Sequence, residues 1–198
     1  MKPRPPRRGR HILLAAGALA MLLAGCAPLT RAPMLAPASR SAASAFLLEG
    51  RISATDGTRA ASGRIEWRHA PGGDRWTAYS PLGQIAARLE SDADGARLLS
   101  ADGSVLEADS AQTLLPQVIG VEVPVDRLAL WVQAVPADGA EVRHTDARGR
   151  PGLVIDQGWR IDYHAYAGPD GDAAPARLDV SRGDARIRLV IDQWTPAP

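Results

Sequence analysis

The chain has 198 residues, 45% of them hydrophobic, with a single cysteine and a formal net charge of +1. One cysteine excludes an internal disulfide framework and a thiolate metal cluster. A charge so close to neutral argues against a nucleic-acid partner, which needs a basic surface.

Residues 1–25 read as a lipoprotein signal peptide. Lys2, Arg4, Arg7, Arg8 and Arg10 form a positive head, and Ile12 to Leu23 is an apolar stretch too short for a comfortable bilayer span. It ends in Leu23-Ala24-Gly25-Cys26, which resembles a bacterial lipobox. In that class of protein the Cys thiol receives a diacylglycerol, cleavage follows Gly25, and the new amino group is acylated. Cys26 is therefore the expected lipidation site. Removing the five positive residues from a chain of net charge +1 leaves the remainder at −4. Two or more acyl chains anchor stably where one does not.

Residues 26–44 comprise the lipidated Cys and an expected flexible tether, rich in Ala, Pro and Ser and without periodicity. Such a length reaches at most about 60 Å and as a coil roughly 20–25 Å.

Residues 45–198 are long enough for one domain with a proper core. "FLLEGRIS" precedes an Asp56-Gly57 turn, and "GRIEW" places Ile65 and Trp67 on one face. "RWTAY" leads into Ser80-Pro81-Leu82-Gly83, a turn in which Pro presets φ and Gly suits the far side. Its Leu82 stands where polar residues are usual. "QIAARLES" puts Ile85, Ala87 and Leu89 on one face, and Ala101-Asp102-Gly103 marks a hairpin. Two helical stretches follow. "SAQTLLPQVIG" starts at Asp109 or Ser110 and stops at Gly120, with a kink or break expected at Pro116. "VDRLALWVQAV", after Pro124, carries Val125, Leu128, Ala129 and Val132 at helical spacing. Then "WRIDYHAY" places Trp159, Ile161 and Tyr163 on one face, and Arg182-Gly183-Asp184 turns the last hairpin. The sum is a mainly β chain of about ten or eleven antiparallel strands with a central helical insertion. A sheet curled into a barrel with helices over one opening buries these faces.

Catalytic signatures are absent: there is no G-x-S-x-G, H-E-x-x-H or Gly-rich phosphate loop. His69, His144 and His164 have no ligand spacing, and read as surface or strand residues. The Asp92/Asp94 and Asp170/Asp172 pairs read as solvated turns, because no bidentate Glu follows at a calcium-site distance. No enzyme activity, metal or cofactor is expected. Trp67, Trp76, Trp131, Trp159 and Trp194 suit core packing and equally suit the wall of a lipid-binding cavity.

Taken together, "GRI" at Gly50 to Ile52, Trp67, "SPLGQ", "ADG" followed by "ADSAQTLL", "VPVDRLALWV", "GWRIDY" and "RLDVSRGDARIRLVIDQW" resemble the LolB family of outer-membrane lipoprotein receptors. The family usually continues a helix where Pro116 stands, and Arg75 to Tyr79 looks shorter than the strand of some relatives. The resemblance implies an unclosed antiparallel β-barrel with a helical lid over an apolar cavity. It implies a monomer at the outer membrane, facing the periplasm, that accepts acylated lipoprotein cargo from a LolA-like carrier and inserts it into outer-membrane lipid. Ala27, following Cys26, agrees with outer-membrane sorting. The wall of such a cavity is expected from the inward strand faces, at Ile52, Ile65, Trp67, Leu89, Trp159, Ile161, Ile187, Leu189 and Ile191, with Trp131 from the lid. The resemblance also gives the Ser80-Pro81-Leu82-Gly83 turn, and Leu82 in it, a part in delivery to the membrane. The rival reading is a lipid-anchored envelope-assembly scaffold with a filled core and no acyl-binding cavity.

Overall fold

The computed structural model describes residues 35–197. The signal peptide, Cys26 and the first part of the tether lie outside these residues. The alternating runs form eleven strands: β1 (Phe46–Thr55), β2 (Ala60–Ala70), β3 (Gly73–Tyr79), β4 (Ile85–Ser91), β5 (Ala96–Ser100), β6 (Val105–Ala108), β7 (Glu141–Thr145), β8 (Pro151–Asp156), β9 (Trp159–Tyr166), β10 (Pro175–Arg182) and β11 (Ala185–Pro196). Between β6 and β7 lie helices α1 (Ala111–Ile119) and α2 (Val125–Trp131).

The strands make one sheet in the order β6-β5-β4-β3-β2-β1-β11-β10-β9-β8-β7. Every pairing is antiparallel, as short hairpin connections require. β6 and β7 occupy opposite edges and do not pair, so the barrel is unclosed. The segment between them, which carries both helices, crosses from one edge to the other.

Period-two alternation sets what faces inward. One inward row runs from Leu48 through Trp67, Trp76, Leu89 and Leu98, each paired across strands with the next. A second runs from Val154 through Ile161, Val180 and Ile187 to Ala54. These side chains belong to a single buried cluster, which α1 and α2 complete through Leu114, Leu115, Ile119, Ala129 and Trp131. Trp67 and Trp76 stack with ring centres 5.4 Å apart.

Three sequence expectations are corrected. Of the kink or break expected at Pro116 the break is absent: α1 runs from its N-cap Ser110 to its C-cap Gly120, the expected stop, and the Gly120 N–H donates to the Pro116 carbonyl. Proline removes one N–H and leaves the rest of the ladder to form, and the buried Leu114, Leu115 and Ile119 hold the helix on the sheet. Gly120 ends it at φ +79°, a left-handed conformation that favours glycine.

Ile85 does not share a face with Ala87 and Leu89. The β3–β4 register shifts between Ala78 and Tyr79, so that Ala78 opposes Ala87 but Tyr79 opposes Ile85. Ala86 is the extra residue of a bulge, and a bulge reverses the alternation beyond it. Ile85 therefore points outward with Tyr79 and is exposed.

The third correction concerns residues 35–44, expected within a flexible tether. They form no regular secondary structure, yet they lie fastened to the domain. The Arg40 guanidinium donates to the carbonyls of Gln133, Gly171 and Ala173 at 3.0, 2.6 and 2.9 Å. The Ala43 N–H donates to Gln133 Oε1 at 2.7 Å, the Ala38 N–H to the Gly149 carbonyl at 2.8 Å, and Thr145 Oγ1 to the Leu35 carbonyl at 2.9 Å. Composition predicts coil and cannot register such partners, which lie about a hundred residues away along the chain.

Candidate functional site

The inward rows converge on an apolar cavity roofed by the two helices. Its wall is Leu48, Ile52, Ile65, Trp67, Trp76, Leu178, Val180, Ile187 and Leu189 from the sheet, with Leu115 and Ile119 of α1, Leu128 of α2 and Val132 just beyond it. No charged or uncharged-polar residue lines it. Its volume is about 30 Å³, which suits a water molecule or two and not an acyl chain. Leu115, Ile119, Leu128 and Val132 of the helical segment close it against the sheet.

Of the ten residues expected on the wall, Ile52, Ile65, Trp67, Ile187 and Leu189 border this cavity. Leu89, Trp131, Trp159, Ile161 and Ile191 are buried in the packing around it. Trp131 is the instructive departure. Its indole N–H donates to buried Asp156 at 2.8 Å, and its carbonyl accepts from the Tyr163 hydroxyl at 3.0 Å. Burial pushes the Tyr163 hydroxyl far above its usual range, so it remains a proton donor. These bonds pin the C-terminal end of α2 to β8 and β9 instead of turning the indole into the cavity. Sequence reading missed Trp76, Leu48, Leu178 and Val180, although each continues an inward alternation. The signal was present, but only strand register ranks the members of one face by their distance from the lid.

Trp67 and Trp76 sit side by side with different polar provision. Trp67 Nε1 donates to Asp74 Oδ1 at 2.7 Å, which also meets His69 Nδ1 at 2.7 Å. Trp76 Nε1 is buried and has no partner.

At one rim of the barrel stands the Ser80-Pro81-Leu82-Gly83 turn. The Gly83 N–H donates to the Ser80 carbonyl at 2.9 Å, and the Ser80 N–H to the Gln84 carbonyl at 2.8 Å. Gly83 takes φ +80°, which a side chain would strain. The backbone is thus closed by its own bonds, and Leu82 projects 87% exposed. Strand register places this turn at the same rim as the β1–β2, β5–β6 and β10–β11 turns. The point where residues 35–38 meet the β7–β8 turn lies at the opposite rim.

There, Arg150 is buried against Asp146 with two N···O contacts of 2.7 Å, and also donates to the Gly168 carbonyl at 2.8 Å. Burial alone would raise the Asp146 carboxyl. The Arg150 side chain and the N–H groups of Arg148 and Arg150 outweigh it and hold the carboxyl below its usual range. Among the described residues no cluster of His, Cys, Asp and Glu has the makings of a metal site.

Comparison with known proteins adds an independent line. A family model described as outer membrane lipoprotein LolB matches residues 44–194. The outer-membrane lipoprotein LolB of Azoarcus sp. (strain BH72) is 55% identical over 190 residues, covering 95% of this chain and 97% of that one. The protein of the same name from Thiobacillus denitrificans is 38% identical over 183 residues, covering 91% and 95%. Among solved structures, a LolA superfamily protein from Nitrosomonas europaea overlays with a TM-score of 0.48 at 10% identity, covering 80% of this chain and 89% of that one.

Proposed function

This chain belongs to the family of outer-membrane lipoprotein LolB, and from that premise we propose that it takes acylated lipoproteins from a LolA-like periplasmic carrier and passes them into outer-membrane lipid. It is an outer-membrane lipoprotein receptor, anchored by lipid and facing the periplasm. The anchor is Cys26, the receptor acts as a monomer, and it works by binding and handing over, not by catalysis.

The observation that supports this best is the pairing of an apolar-lined cavity with a helical roof across an unclosed sheet. A sixteen-carbon chain moved into water loses roughly 12 kcal/mol at about 0.8 kcal/mol per methylene. Cargo with several chains must therefore pass from cavity to cavity without crossing water. The closed cavity admits a chain only if the roof lifts. Trp131 fixes the far end of α2, which leaves α1 as the part that rises, with Leu115 and Ile119 giving way to the ligand. The cost of parting these side chains keeps the receptor's grip weak enough to release cargo to a bilayer.

The test is transfer of a labelled lipoprotein from its carrier to the purified receptor, read by co-elution, followed by release to vesicles. Cargo that stays on the carrier would remove this reading and favour the scaffold. Cys26→Ala is expected to give a folded domain that still takes cargo, because the core is built wholly from residues beyond the tether. A folded variant with no uptake would make the anchor part of the binding site.

A further inference from the structure

We infer that the membrane-docking surface of this receptor is a face and not a single residue: the outer side of β4, β5 and β6 beside the Leu82 turn lies against the anionic headgroup region of the bilayer. This rests on the reading of Leu82 as the turn that meets the membrane, and extends it.

The bulge at Ala86 is where the argument starts. By turning Ile85 outward it adds an apolar side chain to the outer face directly below Leu82. Register then continues the patch sideways. Arg88 pairs with Leu99, and Leu99 with Val105, all on the outer side. Leu82, Ile85, Leu99 and Val105 are the exposed large apolar residues of this side. The β5–β6 turn joins the β3–β4 turn at this rim, where the Ala101 N–H donates to the Ala86 carbonyl at 2.9 Å.

Charge is banded along the same strands. Beside the apolar residues stand Arg64, stacked on Tyr79 with its guanidinium carbon 4.5 Å from the ring centre, and Arg88. Among the described residues neither has a carboxylate within ion-pair distance. Two residues further from the rim the outer face changes character. Arg75 pairs with Glu90 at 2.8 Å and Arg97 approaches Glu107 at 3.8 Å, a neutralised row suited to water. From rim to waist, Leu82 stands at the tip, two rows then carry apolar side chains and unpaired arginines side by side, with Arg64 and Tyr79 level with Ile85 and Arg88 level with Leu99 and Val105, and the ion-paired row follows. A mixed apolar and cationic zone with an aromatic, bounded by an ion-paired row, suits the interfacial depth of a bilayer with solvent beyond it. Unpaired arginines complement lipid phosphates. β6 is a sheet edge with unsatisfied backbone groups, so the face stops at headgroup depth, where water still reaches them.

Cys26 is the only cysteine and is consumed by the lipid, so a thiol introduced elsewhere is labelled alone. The lipid-anchored receptor would be prepared with a fluorophore on Val105→Cys or on Glu107→Cys. It would be placed on phosphatidylethanolamine–phosphatidylglycerol vesicles containing brominated acyl chains. Quenching at position 105 at least threefold stronger than at 107 is the expected result; equal quenching overturns the inference. In parallel, Leu99→Asp/Val105→Asp is expected to keep its melting temperature and its uptake from the carrier while delivering cargo to vesicles at least tenfold more slowly. Wild-type delivery by the double variant would overturn the inference. So would a loss of uptake with normal delivery, which would make the face a carrier dock. Leu82→Glu is run beside them. If it delivers normally while position 105 is still quenched, the role of the turn falls and the face stands.

Discussion

Leu82 is exposed because the backbone of its turn is already closed. The turn closes its own backbone bonds, Gly83 absorbs the left-handed residue, and the leucine has no core within reach. Burying one leucine is worth about 1.5–3 kcal/mol, too little to anchor a protein but enough to orient one already anchored. Leu82→Glu is expected to leave the melting temperature unchanged and uptake intact, and to block release into liposomes, since a carboxylate resists leaving water. A lowered melting temperature would instead reveal a packing role. Trp76 is the inward counterpart. Its indole N–H is buried without a partner on the cavity wall, an arrangement that costs about 1–3 kcal/mol. Trp76→Phe removes the donor and some volume together. It is expected to shift stability by no more than about 1 kcal/mol in denaturant titration, where Trp67→Phe, which takes the indole donor from Asp74 and leaves it His69, costs more.

At the level of elements the two helices of the roof are held by different kinds of contact. The C-terminal end of α2 is bonded through Trp131 to β8 and β9 and through Gln133 to residue 43, whereas α1 packs on the sheet through apolar side chains and is tied by Gln112 to the Val123 carbonyl and the Val125 N–H at the start of α2. Leu115→Ala on α1 is expected to cost about 2–4 kcal/mol in unfolding free energy. The deficit should shrink when a fatty acyl ligand occupies the enlarged cavity, read as a ligand-dependent rise in melting temperature greater than in the unaltered protein. The β7–β8 turn behaves differently because its bonds are ionic. Asp146 has its carboxyl below the ordinary 3.8 in the folded state. A depressed folded value means that the stabilisation is complete above the ordinary value and is lost as pH falls through the folded one. Asp146→Asn is expected to lower the melting temperature at neutral pH, and the difference from the unaltered protein should fade below about pH 4. A difference independent of pH would show that the side chain acts by shape alone.

The whole molecule sets a problem of reach. Residues 35–38 are fastened at the rim opposite Leu82, and Leu35 lies nine residues along the chain from Cys26. Nine residues span at most about 30 Å. The ten-residue β1 is also about 30 Å long, and barrel tilt brings the rim-to-rim height to about 25 Å. Leu82 and the Cys26 lipid thus meet one bilayer only if the connecting chain is drawn nearly straight or the strap comes off. Deleting Pro28 to Pro33 while keeping Ala27 is expected to leave a folded, anchored receptor that delivers to its own membrane at least tenfold more slowly. Arg40→Ala, which removes the guanidinium bonds to four carbonyls, is expected to restore delivery in the shortened chain. Full delivery by the shortened chain without that change would show that the strap releases unaided.

The sequence by itself set the strand number to about ten or eleven, several of the turns and the ends of α1 to within a residue, because alternation, Gly-containing turn pairs and caps are local, and local preferences survive into this fold. Ile65 beside Trp67, and Trp159 beside Ile161 and Tyr163, followed from a period of two. Tertiary structure alone decided three things. The Ala86 bulge turned Ile85 outward, because register depends on the partner strand. Trp131 went to Asp156 and not to the cavity, because a buried indole N–H takes the nearest acceptor, here 25 residues along the chain. And residues 35–44 became a strap, because their bonds close on carbonyls and side chains that only the folded sheet brings within reach.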